Sequence, residues 1–181
     1  IVLLNNDTVV TDGWLARLET ALDASPDTGI VGPLTNRIRG LQQDPDATYP
    51  SLDAMHEYAA AVARNNAGRT LEVEQVMGFC MAIRRRAFVD LGGFDERFGI
   101  GNYDDDDLCL RARRAGIRIR IALDAFVHHF GSRTFAAIVE DYDGLLEKNR
   151  RLFEEKWKSE GSSPPGGTSS PGDLRLVRRP P

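Results

Sequence analysis

Three short polar segments contain residue types that could do chemistry, and the first follows an apolar run at the start of the chain. Asn5, Asn6 and Asp7 come directly after four aliphatic residues. A carboxylate in that place can hold a hard divalent cation, which in turn bridges two phosphate groups. Asn and Asp are also frequent in ordinary turns, so a plain turn is the alternative interpretation.

The second segment is a run of four aspartates, residues 104–107, followed closely by three arginines. Acidic residues at the start of a helix and basic residues at its end interact favourably with the helix dipole, so one or two aspartates there need no function. Four neighbouring carboxylates repel one another, and this repulsion raises the pKa of at least one of them. Because a general base benefits from a raised pKa, the run predicts either a catalytic base or a structural helix start.

The third segment is the pair His128 and His129, which follows a strand-like stretch. Neighbouring histidines more often have a structural role than a metal-binding one. A neutral imidazole can nevertheless complete a metal site that a carboxylate such as Asp7 begins. Both interpretations remain open on the residues alone.

The predicted strands place these segments at the ends of core elements. Residues 1–4 predict a buried strand of a parallel or mixed sheet, so residues 5–7 lie at a strand end, where open α/β sheets bind ligands. Residues 72–83 predict another strand, in which Gly78 marks a bulge or the close approach of a ligand. Alternating isoleucines in residues 117–122 predict a half-buried strand that leads towards the histidines.

Helical spacing of apolar residues predicts the elements that pack against these strands. Asp12 is the predicted N-cap of the first helix, which ends before Pro26, and Ser51 is the predicted N-cap of the second. The further predicted helices cover residues 84–91, 104–115 and 135–157.

The remaining segments complete the predicted organisation. Residues 29–33 predict a short strand and turn, and the polar residues 36–50 predict a surface loop. Strands that alternate with helices indicate an α/β domain, here residues 1–158. Residues 159–181 are rich in Ser, Pro and Gly and then basic, so we predict a disordered tail.

The composition limits the possible function classes. A chain of 181 residues fits one domain or part of one, and a hydrophobic content of 41% suffices for a real core. The net charge of −4 and the lack of a basic stripe argue against a general nucleic-acid binder. No apolar run reaches the roughly 18 residues of a membrane span, and no signal peptide is recognisable. Cys80 and Cys109 predict buried thiols in a reducing cytoplasm, with a disulfide as the alternative.

Taken together, the segments resemble the inverting family 2 glycosyltransferases of GT-A fold. The run Gly-Gly-Phe-Asp-Glu-Arg-Phe followed by the acidic helix start is the most specific part. The resemblance implies an α/β fold, namely a partial GT-A (Rossmann-like) three-layer sandwich with a mixed sheet. The matching stretches are residues 3–8, 32–36, 78–81, 91–98, 101–111 and 127–131.

The resemblance implies a donor site built from the first and third segments. In the family, an Asp-x-Asp-like element binds the metal and the donor diphosphate, and here Asn5, Asn6 and Asp7 take its place. Because Asn5 replaces the first Asp, the element has one charge fewer, and Asp7 is the firmest predicted metal ligand. His128 matches the family's late histidine and is the second predicted metal contact, with His129 as the weaker candidate.

The resemblance also implies a catalytic base and a sugar-binding wall. Asp105 matches the catalytic Asp of the family, and Asp104 is the runner-up, more naturally placed to orient the acceptor. Asp107 matches the last acid of the family's motif. Gly78 and Phe79 lie where the family cradles the acceptor and the donor sugar.

The implied enzyme is a hexosyltransferase-type enzyme that uses Mn²⁺ or Mg²⁺ and a nucleoside-diphosphate sugar. Its implied acceptor is a glycan or a lipid-linked molecule, in polysaccharide or cell-surface glycan synthesis. Its expected place is the cytoplasm, including the inner face of the membrane as a peripheral protein. The family's N-terminal set of elements, which holds the nucleotide base and ribose, has no counterpart here. We therefore expect that this nucleotide-binding half is missing.

Two alternatives belong to other function classes. The first is a catalytically inactive remnant that acts as a binding module, which the missing half and the Asn at position 5 motivate. The second is a metal-dependent hydrolase that uses the Asp and His residues. The hydrolase is the weaker alternative, because hydrolytic metal sites usually need more ligands than Asp7 and one His provide.

Overall fold

The structure is a computed structural model that describes residues 1–131 and 141–158. Part of the predicted last helix, residues 135–140, and the predicted tail, residues 159–181, lie outside the described residues. A 3₁₀ turn at Glu96–Phe98 precedes α4. The elements are β1 (Val2–Leu4), β2 (Thr8–Val10), α1 (Trp14–Asp23), β3 (Thr28–Leu34), α2 (Leu52–Asn65), β4 (Thr70–Val73), β5 (Cys80–Ile83), α3 (Arg85–Asp90), α4 (Asp104–Arg114), β6 (Arg118–His129) and α5 (Tyr142–Lys158).

The strands form a mixed sheet in the order β1-β5-β3-β6-β2, and β4 also pairs with β6. β6 runs parallel to β3 and antiparallel to β4 and to β2. Its first residues pair with β4 and its last with β2, so β6 joins the body of the sheet to the short β2. The predicted α/β class and mixed sheet are confirmed.

Helices cover both faces of this sheet. Successive side chains of a strand point to opposite faces, so neighbouring residues of β3 enter different cores. Ile30 and Leu34 pack with residues of α2 and α4, whereas Val31 packs with residues of α1. A third apolar cluster joins α4 to α5 and consists of Phe98, Leu110, Phe153 and Trp157.

Within the described ranges, none of the helices combines the length and apolar character that a membrane crossing requires.

The strand β1 is present as predicted, but it is not buried. Val2 is 39% exposed and Leu4 is 43% exposed. β1 lies at the end of the strand order and hydrogen-bonds to β5. A short apolar run does not by itself distinguish an edge strand from a central one, and this is why the prediction of a buried strand is wrong.

Two further predictions are wrong, namely the N-cap of α1 and the single strand over residues 72–83. Asp12 is exposed and does not cap α1, because Gly13, with a φ of 71°, occupies the N-cap position. Ser51 is the N-cap of α2 as predicted, and its Oγ accepts a hydrogen bond from the Ala54 N–H at 3.2 Å. Residues 72–83 form parts of two strands, because β4 and β5 pair with different neighbours and a loop that contains Gly78 separates them.

The predicted turn at residues 29–33 lies inside β3, and the loop of residues 36–50 is partly internal. Gln42 is 2% exposed and connects two backbone segments. Its Nε2 donates to the Pro33 carbonyl at 2.9 Å, and its Oε1 accepts from the Met77 N–H at 2.6 Å. A Cβ at position 32 would lie 2.4 Å from that Nε2, so the close approach requires Gly32.

Candidate active site

A cleft of about 740 Å³ brings the predicted segments together. Among the residues that the sequence analysis matched to the site, His128 and Asp107 are absent from the lining. The cleft also contains residues that the sequence did not single out, among them Arg37 and Tyr142. The predicted site residues that line it are Asn5, Asn6, Asp7, Gly78, Phe79, Asp104 and Asp105, together with Asp106 and His129.

One side of the cleft carries Asp7 and His129. The pairing of β2 with β6 places Thr8 opposite His129, and the Phe130 N–H donates to the Asp7 carbonyl at 3.0 Å. As a result, His129 Nε2 lies 3.4 Å from Asp7 Oδ1, and both side chains are at most 10% exposed. The Phe79 ring stacks on the His129 ring with 5.1 Å between centroids.

The hydrogen bonds of His129 determine what it presents to Asp7. Its Nδ1 lies 3.0 Å from the Arg37 carbonyl, and because a carbonyl oxygen can only accept, Nδ1 carries a hydrogen. In the neutral ring Nε2 then offers a lone pair, and this buried atom has no hydrogen-bond partner among the residues that the structure describes. A lone pair facing a carboxylate oxygen is an arrangement that can hold a cation.

Asp7 and His129 would be a sparse metal site by themselves. Within residues 1–131 and 141–158, no three His, Cys, Asp or Glu side chains cluster so as to hold a metal ion. Magnesium characteristically binds one or two protein carboxylates and completes its shell with substrate phosphates and water. The pair therefore fits a cation that is delivered or completed by a phosphorylated ligand.

His128 lies on the opposite face of β6. Its Nδ1 is 2.6 Å from the Tyr49 hydroxyl, and its ring meets the Phe130 ring with 4.5 Å between centroids. Burial lowers the pKa of His128, and the neighbouring His129 adds to this effect. Consecutive strand residues face opposite sides, so only one of the two histidines can face Asp7, and the role of either as a metal contact stays a prediction. His129, and not His128, adjoins Asp7.

The wall across from this pair is the acidic start of α4. Asp105 accepts two backbone hydrogen bonds, from the Gly78 N–H to Oδ2 at 2.7 Å and from the Asp106 N–H to Oδ1 at 3.0 Å. These bonds fix the orientation of the carboxylate. Gly78 is thus a donor to the acidic wall, and this explains its place in the cleft lining.

The neighbours of Asp105 have raised pKa values. Burial raises the pKa of Asp104 to about 6, and the charge of Asp105 adds to the rise. Burial also raises the pKa of Asp106 to about 7, Asp105 again adding, while the Arg39 guanidinium opposes the rise from 3.5 Å away. The predicted rise of pKa within the run is confirmed, with burial as a larger cause than repulsion.

Asp107 does not belong to the cleft. Its side chain is fully buried on the inner side of α4. There its carboxylate accepts hydrogen bonds from Arg111 Nε at 2.8 Å and from Trp157 Nε1 at 3.1 Å. Lys156 Nζ lies 2.6 Å from the same carboxylate. These contacts fasten α4 to α5, so the last acid of the run supports the structure.

Arg37 was not predicted, because it lies in a stretch interpreted as a surface loop. Its exposed side chain lines the cleft and packs against Gly131, where a Cβ would lie 3.1 Å from Arg37 Cδ. The neighbouring Asn36 fixes this part of the loop, since its Oδ1 accepts from the His129 N–H at 2.8 Å. The only sequence signal was the match of residues 32–36 to the family pattern.

A family model and one curated relative of this chain are both described as glycosyltransferases. A family model described as glycosyltransferase like family 2 matches residues 1–142. An uncharacterized protein of Mycobacterium bovis is 32% identical over 136 residues, which cover 72% of this chain and 46% of that protein. The pre-mycofactocin glycosyltransferase of Mycobacterium tuberculosis is 30% identical over 148 residues, which cover 80% of this chain and 30% of that protein. The chain thus spans less than half the length of these curated relatives.

Proposed function

Because this chain belongs to the glycosyltransferase-like family 2, we propose that its cleft transfers a sugar from a nucleoside-diphosphate donor to an acceptor hydroxyl. We further propose a GT-A-type site and inversion at the anomeric carbon. The observation that carries the proposal is that one cleft joins the Asp7 and His129 pair to a wall of carboxylates. The pair suits a diphosphate, and the carboxylates suit a hydroxyl that must lose a proton.

The donor side of the cleft is assigned to the diphosphate. Asp7 Oδ1 and His129 Nε2 would hold Mn²⁺ or Mg²⁺, and the orphaned lone pair of His129 is the feature that fits such an ion. The bound cation supplies neutralisation of the charge on the departing nucleoside diphosphate. Arg37 adds a positive charge at the same side, and the side chains of Asn5 and Asn6 add polar contacts.

The acceptor side is assigned to the start of α4. Asp105 takes the proton from the acceptor hydroxyl while the hydroxyl oxygen forms a bond to the anomeric carbon. The bond from that carbon to the diphosphate breaks, and its electron pair leaves on the nucleoside diphosphate. Attack from the face opposite the leaving group inverts the configuration. Asp104 hydrogen-bonds a second acceptor group, and it is the alternative base.

For the wider role of the protein, we propose the one that the family resemblance implies. We propose a hexosyltransferase that acts on the cytoplasmic side, on a glycan or lipid-linked acceptor in polysaccharide or cell-surface glycan synthesis. A binding module without catalysis is the second candidate, and Asn5 favours it, because this residue leaves the donor site one carboxylate poorer.

Calorimetry with inorganic pyrophosphate and Mn²⁺ tests the donor site. The wild-type chain should bind pyrophosphate only in the presence of the metal. Asp7→Asn and His129→Gln should each weaken binding by at least about 10-fold, a loss of about 1.4 kcal/mol. His128→Gln is the matched control, because His128 lies one residue away on the other face of β6, and its affinity should stay within about twofold.

Each outcome separates the candidates. Absence of metal-dependent binding in the wild type rejects the donor site, and equal losses in the two histidine variants reject its location. Binding without sugar transfer from any of a panel of UDP-, GDP- and dTDP-hexoses favours the binding module.

A further inference from the structure

The turn that leads into α4 has an unusual backbone. Asn102 and Tyr103 both adopt positive φ angles, 68° and 70°. Residues other than glycine rarely adopt this region, and such a backbone is strained unless the surroundings impose it. The next residue along the chain is Asp104. The conformation of this turn therefore determines how the acidic wall enters the cleft.

A buried side chain of α5 donates hydrogen bonds to this turn. Asn149 is 1% exposed, and its Nδ2 donates to the carbonyls of Phe98 at 2.7 Å and Gly101 at 2.8 Å. The Asn102 carbonyl lies 3.2 Å from the same nitrogen. An amide has two hydrogens, so one of them is shared between two of these carbonyls. One buried amide thus gathers three carbonyls of a single turn.

Two further contacts join the same helix to the same turn. The Tyr142 hydroxyl donates to Asn102 Oδ1 at 3.2 Å, and the Tyr103 ring packs beside the Phe153 ring with 5.5 Å between centroids. Tyr142 also lines the cleft. Residues of α5 therefore contact the backbone of the turn, the Asn102 side chain and the Tyr103 ring.

We propose that Asn149 is a positioning residue, which holds the turn of residues 99–103 so that Asp104 and Asp105 face the cleft. The role in catalysis rests on the proposed function, whereas the hold on the turn does not. Without the amide, three carbonyls lose a donor, and the two strained residues relax towards negative φ. That relaxation rotates the start of α4. Misplacement of a reacting group by about 1 Å lowers a rate about 100-fold.

The test combines amide hydrogen exchange with steady-state kinetics, and both are measured on the full chain. Asn149→Leu keeps the approximate size and removes the donor. Arg151→Gln on the same helix is the matched control, because Arg151 is 69% exposed and pairs with Glu147. The kinetic substrate is whichever UDP-, GDP- or dTDP-hexose the wild type turns over.

The amides of residues 99–106 should exchange at least about 10-fold faster in Asn149→Leu, while those of β3 keep their wild-type rates. Its kcat should fall about 100-fold, and its KM for the donor should stay within about twofold. Arg151→Gln should change neither quantity. Tyr142→Phe, which removes the weaker contact, should show the same pattern at smaller amplitude.

The proposal is overturned if Asn149→Leu folds with wild-type exchange in the turn and wild-type kcat. It is equally overturned if exchange accelerates over the whole chain and kcat and KM change together, since that pattern marks a general loss of structure. If Asn149→Leu does not fold, the exchange and kinetic measurements on Tyr142→Phe test the proposal by the same criteria. If the wild type neither binds pyrophosphate nor turns over a nucleotide sugar, the proposed function is rejected. The exchange measurement still tests whether Asn149 holds the turn.

Discussion

The two sides of the start of α4 contain the same residue type in opposite environments. On the cleft side, Asp104 and Asp106 have pKa values raised by burial, and the cation beside Asp106 belongs to the largely exposed Arg39. On the inner side, Asp107 is fully buried, yet Arg111, Lys156 and Trp157 all donate to it. The two sides therefore differ in the donors around a buried carboxylate and not in burial itself, and we propose a chemical role for the cleft side alone.

The largest expected effect is on the chemistry of the cleft side. Asp105→Asn should lower kcat about 10³-fold, because the amide cannot take a proton, and the thermal midpoint should barely change. Asp104→Asn should lower kcat only about 10-fold. The measurement is initial-rate kinetics of both variants between pH 5 and pH 8.

The pH profile sharpens this prediction. If the ionised form of Asp104 orients the acceptor, the wild-type rate rises up to its pKa of about 6 and then levels off. Asp104→Asn should abolish that rise. A greater loss of kcat in Asp104→Asn than in Asp105→Asn would make Asp104 the base.

The next effect concerns the inner side and should appear in stability. Asp107→Asn removes the charge that compensates Arg111 and Lys156, which are 18% and 17% exposed. Breaking such a buried arrangement costs about 3 kcal/mol. Urea unfolding followed by fluorescence of Trp157 measures the change. A loss below about 0.5 kcal/mol would mean that the inner aspartate is no better compensated than the cleft aspartates.

The smallest effect is a gain in stability, and its size depends on pH. The pKa of Asp106 is about 7 in the folded chain and 3.8 ordinarily, so between these values the folded state holds more protons than the unfolded state. Stability therefore falls as the pH rises through this window. Asp106→Asn should raise the thermal midpoint by about 4 °C at pH 8 and by less at pH 5. Scanning calorimetry at both values is the check, and a lower midpoint at pH 8 would show that Arg39 outweighs burial.

The sequence predicted the features that depend on local pattern. Ser51 caps its helix, the acidic run begins a helix, and Asp7 follows a strand, because capping preference, dipole preference and strand ends are local properties. The membership of Asp7, Gly78 and Asp105 in one cleft also followed from the family pattern. Their proposed roles stay predictions.

The features that depend on register and tertiary contacts could not be predicted. Choosing between His128 and His129 requires knowing which face of β6 meets Asp7, and a shift of one residue exchanges the two. Asn149 lies on the apolar face of its helical pattern, between Leu145 and Phe153, but this pattern does not identify the partners of a buried amide. Its three carbonyl partners are 47 to 51 residues away.

Gln42 has a consequence for how such a cleft can diversify. It ties β3 and the loop that carries Arg37 to the segment just before Gly78, and the missing Cβ at Gly32 makes room for its amide. A change in length on either side of this bridge displaces the other side as well. We therefore expect exchanges of side chains, and not insertions or deletions, to alter the preferences of the proposed donor and acceptor sides while keeping this frame.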